Sequence, residues 1–161
     1  MASMAGRQKA TARLTPARRR LLKDRIASVP FPNALGIRLV RMQAGTVEMS
    51  MAAGPALKQY QGVVHGGALA SLADTAATFA ALTVLPDGMD LVTIEFKINF
   101  LSAVRTGRAI ARAHVVRAGR RVSIAHVDVY DSRGNDLAAT GIFSMLNIPS
   151  PATTPPMHKP R

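Results

Sequence analysis

The chain contains no cysteine and no tryptophan, and only two Tyr and five Phe among 161 residues. Without Cys there is no disulfide framework, no thiolate metal site and no sulfur nucleophile. That absence fits a reducing compartment, and a cytoplasmic location is the expectation. The four histidines fall at 65, 114, 126 and 158, with no zinc-ligand spacing among them, so no metal is expected. Scarce aromatics weaken any mode of nucleic-acid binding built on base stacking. The first residues lack the continuous apolar run of a secretory signal. They have the Arg-rich, acid-poor character of a mitochondrial transit peptide, but with little Ser.

Acids are also scarce: nine against 21 Lys and Arg, for a formal net charge of +12. The excess is unevenly placed. Residues 1–27 hold Arg7, Lys9, Arg13, Arg18, Arg19, Arg20, Lys23 and Arg25 against Asp24, which is +7 of the total +12 and leaves +5 for residues 28–161. The basicity therefore reads mainly as an arm, and the body as mildly basic. A solvated arm or a nucleic-acid contact would account for the first, and an anionic small-molecule substrate would suit the second.

Three segments are expected: a basic arm over 1–27, a single domain over 28–148 and a Pro-rich unfolded tail over 149–161, where five of the ten prolines lie. Within the arm, Pro16 can open a short helix through about Ala27, since Pro is tolerated in a first turn. Residues 28–32 read as a connector. Runs 37–43 and 46–53 read as a strand pair turned near Gly45, followed by a loop from Gly54 to His65. The stretch 66–85 reads as a helix apolar on nearly every side, stopped by Pro86 and the Asp87-Gly88 turn signal. Strand-like runs follow at 92–101, 107–118, 121–131 and 136–147. In the first of these Thr93, Glu95, Lys97 and Asn99 alternate with Ile94, Phe96, Ile98 and Phe100. Turns at Ala118-Gly119 and Ser132–Asn135 make the later runs consecutive hairpins. One greasy helix followed by a meander of antiparallel strands predicts an α+β fold, with the sheet curled around the helix.

Asp74 is the anomaly in that helix. Its neighbours include Leu72, Ala73, Ala76 and Ala77, and no Lys, Arg or His occurs between 66 and 85. An unpaired buried carboxylate costs several kcal/mol, so it is paired, protonated or functional. Ser71 and Thr78 share its helix face and make a polar notch. The stretch is long enough to span a membrane, but a charge at its midpoint and its Ala- and Thr-rich composition argue against a span. At the helix start stands His65-Gly66-Gly67. Free N–H groups there, with Gly allowing close approach, can hold a developing oxyanion, worth about 3 kcal/mol to a transition state. Gly66 and Asp74 are eight residues apart, about 12 Å along a helix. One carbonyl cannot easily span both, whereas two antiparallel chains would bring one helix start beside the other chain's carboxylate. A dimer is expected on that ground.

The pattern Gln59, five residues, His65-Gly66-Gly67, six residues, Asp74 resembles the phenylacetic-acid-pathway (PaaI-like) branch of the hotdog-fold thioesterases. The resemblance covers roughly residues 28–147, including Leu35-Gly36-Ile37 and Thr93-Ile-Glu-Phe. It implies a hotdog fold and hydrolysis of an acyl-CoA thioester to a carboxylic acid and CoA, with no separate cofactor. It implies Asp74 as general base or nucleophile and the Gly66 N–H as the donor that polarises the carbonyl. Gln59 would help bind the carbonyl or water from the opposing subunit, His65 would orient the loop, and Thr93 would position the water. Gly67 and Thr78 would line the site, and dimers would pair into a homotetramer.

Arg120 and Arg121, beside Gly119, are candidate contacts for CoA phosphates or simply a charged hairpin turn. Arg108, Arg112 and Arg117 read as a solvated strand face, and His114 and His126 as structural. Two other readings stay open: an enoyl-CoA hydratase or dehydratase on the same fold, and a non-catalytic acyl-CoA sensor or nucleic-acid binder using the arm. Deleting residues 1–27 is expected to leave thioesterase activity intact.

Overall fold

A computed structural model describes residues 14–132 and 136–150. The expectations for 1–13 and for most of the Pro-rich tail lie outside these residues, as does the centre of the Ser132–Asn135 turn. The elements run α1 (Pro16–Ser28), α2 (Pro30–Ala34), β1 (Arg38–Gln43), β2 (Thr46–Ala52), a short 3₁₀ turn (Pro55–Leu57), α3 (Gly66–Leu82), β3 (Met89–Phe100), β4 (Arg108–Ala118), β5 (Val122–Asp131) and β6 (Leu137–Pro149). The six strands form one antiparallel sheet in the order β1-β2-β4-β5-β6-β3. Helix α3 packs against strands β2 to β6. This is the α+β arrangement expected, a sheet wrapped around one long helix.

The amino-acid pattern explains the wrap. Along β5 the odd positions Ser123, Ala125, Val127, Val129 and Asp131 are buried and the even positions are half-buried, the alternation of a sheet with one face on a core. On β4 the inward residues are Ala109, Ala111 and Ala113. Facing them, α3 presents Ala73, Ala76, Ala77, Ala80 and Ala81, all essentially inaccessible. Small residues on both surfaces let helix and sheet approach closely, with Leu72, Met49, Met51, Phe143 and Met145 filling the space around them.

Three expectations need correction. The helix ends at Leu82 rather than 85. The Thr83 hydroxyl donates to the Ala80 carbonyl and accepts from Gly45 N–H, tying the helix end to the β1–β2 turn, and Pro86 disfavours helix at Leu85. The strands after the helix are not a simple meander. Strand β2 occupies the free edge of β4, so β3 crosses to the opposite edge and pairs with β6. Residues 28–32 are not a plain connector either, because Pro30 opens the short helix α2.

Helix α1 appears where expected, capped by the Thr15 hydroxyl accepting from Arg18 N–H. It does not project as an arm. Leu22 and Ile26 are buried in the common core. Arg18 donates to the Leu82 carbonyl and Arg19 to the Met42 carbonyl, while Arg25 is paired with Asp90. Three of its five basic residues are thus committed to the domain. Deleting residues 1–27 would strip two core side chains, so the expectation of an unaffected truncation does not survive.

Candidate active site

The burial of α3 beyond its first turn is broken along one side. Ser71, Asp74 and Thr78 are half-buried, while Leu72, Ala73, Thr75, Ala76, Ala77 and Phe79 are buried. Their spacing places the three on one stripe, and all three line a cavity of about 340 Å³ between α3, the α1–α2 corner and the start of β3. The polar notch expected from the sequence is therefore present. Ser71 and Thr75 do not serve the carboxylate, however: their hydroxyls donate to the Gly67 and Ser71 carbonyls of their own helix.

The partner of Asp74 is Thr93, whose hydroxyl donates to Oδ1 at 2.8 Å. A β-bulge makes this contact. Thr93 pairs with Met145 and Glu95 with Ser144, so Ile94 is the extra residue. Strict alternation would place Thr93 on the same face as Glu95, Lys97 and Asn99. The inserted residue instead turns it to the inner face, with Phe96 and Ile98, where α3 lies. No cation approaches Asp74 among the described residues, and its Oδ2 has no hydrogen-bond partner there. Burial pushes its carboxyl above the ordinary value of 3.8, and the Thr93 hydrogen bond pulls part of the way back.

The helix start is built by His65. Its Nδ1 accepts from Gly67 N–H at 2.9 Å and so caps α3, while its own N–H donates to the Leu57 carbonyl. A side chain at position 67 would press on this imidazole, since a Cβ there would lie 3.1 Å from Nδ1. The Gly66 N–H is left without a partner among the described residues. Against Gly66 lies the Phe100 ring, 3.2 Å from where a Cβ would stand. The loop before the helix is tied down by Lys58 pairing with Val64 and by Val64 N–H donating to Val104. Gln59 opens the tight turn 59–63 through its backbone, and its side chain makes no hydrogen bond among the described residues.

Within one chain, then, the structure brings Thr93, Ser71 and Thr78 to Asp74 and leaves the Gly66 donor at the other end of the helix segment. Arg120 and Arg121 do not line the Asp74 cavity. They are exposed on the β4–β5 hairpin, and Arg120 borders a larger cavity of about 890 Å³ beyond the C-terminal end of α3. Among the described residues that larger space has no carboxylate held by a hydroxyl, and the chemistry points to the smaller one. Of the strand arginines, Arg108 bonds Ser50 and Arg112 bonds Glu48 while lying over the Tyr130 ring. His114 and His126 stand ring to ring across β4 and β5, and His126 Nε2 lies 3.1 Å from the Thr140 hydroxyl.

Sequence reasoning missed four contributors. Arg25 and Asp90 pair in the lining of the Asp74 cavity. Phe100 covers Gly66. Asn33 donates through Nδ2 to the carbonyls of Ile26, Ala27 and Val29 and fixes the α1–α2 corner. Only Asp90 carried a readable signal, as an acid followed by an apolar run.

Residues 61–138 match the family model described as the thioesterase superfamily. The chain is 30% identical to the proofreading thioesterase EntH of Klebsiella pneumoniae over 62% of its own length and 73% of that protein. Among solved structures, a thioesterase family protein of Silicibacter pomeroyi superposes with a TM-score of 0.78 at 30% identity, covering 83% of this chain and 99% of that one. The PaaI protein of E. coli, from the phenylacetic acid degradation operon, superposes with a TM-score of 0.76 at 23% identity, covering 84% and 96%.

Proposed function

The chain belongs to the thioesterase superfamily and is a thioester hydrolase on a hotdog fold, and from that premise we propose that its substrate is an acyl-CoA and that Asp74 activates the attacking water. One observation carries the reading. A half-buried carboxylate faces a cavity and, among the described residues, forms no ion pair, with one oxygen held by Thr93 and the other without a hydrogen-bond partner. A raised pKa makes it a stronger base than an ordinary Asp, and the free Oδ2 can take a proton from water. The hydroxide equivalent adds to the thioester carbonyl, the oxyanion rests on a Gly66 N–H, and collapse expels the CoA thiolate, which recovers the proton. Acyl-CoA and water become carboxylic acid and CoA.

The Gly66 donor comes from a second copy. Strand β3 is an edge strand, and it exposes Val92, Ile94 and Phe96 beside an unpaired backbone. Such an edge calls for a cover, and a second β3 laid antiparallel on it joins the two sheets. Gln59 and His65 of that copy then border the shared cleft. Pairing of such dimers into a tetramer completes the reading of the assembly. Ile94→Lys is expected to yield monomers by light scattering with hydrolysis reduced at least 100-fold; active monomers would remove the shared site.

The hydratase alternative is less well served, because the Nδ1 of His65 is occupied in capping and the imidazole makes no contact with Asp74. The nucleic-acid alternative loses Arg18, Arg19 and Arg25 to internal contacts. A cytoplasmic location fits the Cys-free composition, and no described helix is long and apolar enough to cross a membrane. The deciding experiment is Asp74→Asn with free-thiol detection. Turnover is expected to fall by about 10²–10⁴ while acyl-CoA binding persists. Wild-type rates in that variant would end the assignment.

A further inference from the structure

The cavity that holds Asp74 is bounded by more than α3 and β3. Its outer wall is Val29, Phe31 and Pro32, from the α1–α2 corner, and its inner wall includes Phe79, Leu82 and Leu91. These side chains offer no hydrogen bonds, which suits hydrocarbon and not the amides of a pantetheine arm. The cavity runs along α3 from Asp74 toward Leu82, about 12 Å of helix. Arg25 and Asp90 line the same cavity. Asp90 precedes Thr93 by three residues, about 10 Å along the strand from the hydroxyl that holds the catalytic carboxylate.

The Arg25–Asp90 pair is built to stay closed. The Asp90 side chain is 11% exposed. Its Oδ1 accepts from Leu91 N–H and its Oδ2 from the Arg25 guanidinium. Arg25 is fixed from behind, because Leu22 and Ile26 anchor its helix in the core and Asn33 clamps the carbonyls of Ile26, Ala27 and Val29. The Arg25 side chain is itself 41% exposed, so beyond it lies solvent and not more protein. A methyl terminus driven against this pair would displace a hydrogen-bonded charge pair without replacing its bonds.

We propose that the Arg25–Asp90 pair is the stop that sets the longest acyl chain this enzyme accepts, with α1 contributing specificity from outside the segment that matches the family. This rests on the reading of the Asp74 cavity as the acyl site. Arg25 is a specificity-determining residue and touches neither water nor carbonyl. Removing the guanidinium opens the cavity toward solvent along the line of the chain.

The test is a series of straight-chain acyl-CoA thioesters from acetyl to palmitoyl, assayed as kcat/KM on the full chain. Wild type is expected to lose activity sharply past a medium chain. The double variant Arg25→Ala with Asp90→Asn, which leaves no buried carboxylate unpaired, is expected to raise the long-to-short ratio of kcat/KM at least tenfold. Val29→Phe, which narrows the same cavity, is expected to move the cut-off toward shorter chains, and it keeps the test alive if the double variant fails to fold. A length profile that is the same in wild type and in a folded variant of either kind overturns the stop. Absence of any acyl-CoA turnover by wild type overturns the acyl-CoA reading beneath it, and the stop with it.

Discussion

Two carboxylates of this protein lie within one cavity and have been given opposite surroundings. Asp90 has a guanidinium on one oxygen and a backbone N–H on the other. Asp74 has a single hydroxyl on one oxygen and nothing on the other among the described residues. Both are taken out of bulk water by the same apolar walls. Asp90 is thereby a structural group, satisfied and fixed. Asp74 is left under-solvated, and burial holds its proton more tightly than usual. Asp90 is the deeper of the two, so it is the partners that separate a wall from a reagent.

The largest effect expected from breaking the contrast is at Asp74. Besides the loss of turnover, Asp74→Asn has a stability signature. The folded carboxyl has a raised pKa, so between 3.8 and its folded value the folded chain binds the proton more tightly than the unfolded chain. Stability therefore falls as pH rises through that window, and the penalty is complete above it. Asn carries no such penalty. Urea unfolding should show the variant more stable than wild type at neutral pH, with the gain disappearing below about pH 4. Next is Arg25→Met, which leaves Asp90 buried and half-satisfied and is expected to lower stability by about 1–3 kcal/mol. Thr93→Val removes the only hydrogen bond to Asp74 among the described residues. Its kcat is expected to fall about tenfold, with the acid limb of the rate profile moving to higher pH, because that bond lowers the carboxyl pKa. Smallest is Asp90→Asn. The freed guanidinium can turn to water, so the loss should stay below about 1 kcal/mol in the same urea measurement. Equal losses for Arg25→Met and Asp90→Asn would show that burial does not distinguish the two partners.

Asp74 was legible because its rule violation is local: one acid among Ala and Leu, with no cation within a helix length. The helix, the strand runs and the His-Gly-Gly start were legible for the same reason, each being set by neighbours in sequence. The pairing of β3 with β6 was not, since several antiparallel orders satisfy the same alternating pattern. The bulge at Ile94 was hidden as well. Thr93 alternates perfectly with its neighbours in the sequence, and only the register against Met145 and Ser144 turns it inward. The helix α1 misled through composition. Arg18, Arg19 and Arg25 look like a solvated arm until Leu22 and Ile26 are seen in the core and each guanidinium meets an acceptor 23 to 65 residues away. Arg25 and Asp90 are separated by that distance in the chain, so no short motif could announce them as a pair.

The central claim is that desolvation, with no counter-ion among the described residues, turns Asp74 into the base. The pH dependence of kcat/KM for a hydrolysed acyl-CoA, measured on wild type and on Asp74→Asn from about pH 4 upward, tests it most directly. The account predicts a wild-type acid limb with its midpoint above the ordinary Asp value of 3.8, absent from the residual activity of the variant. A wild-type rate that is flat across the range, or a limb that survives unchanged in Asp74→Asn, would contradict it.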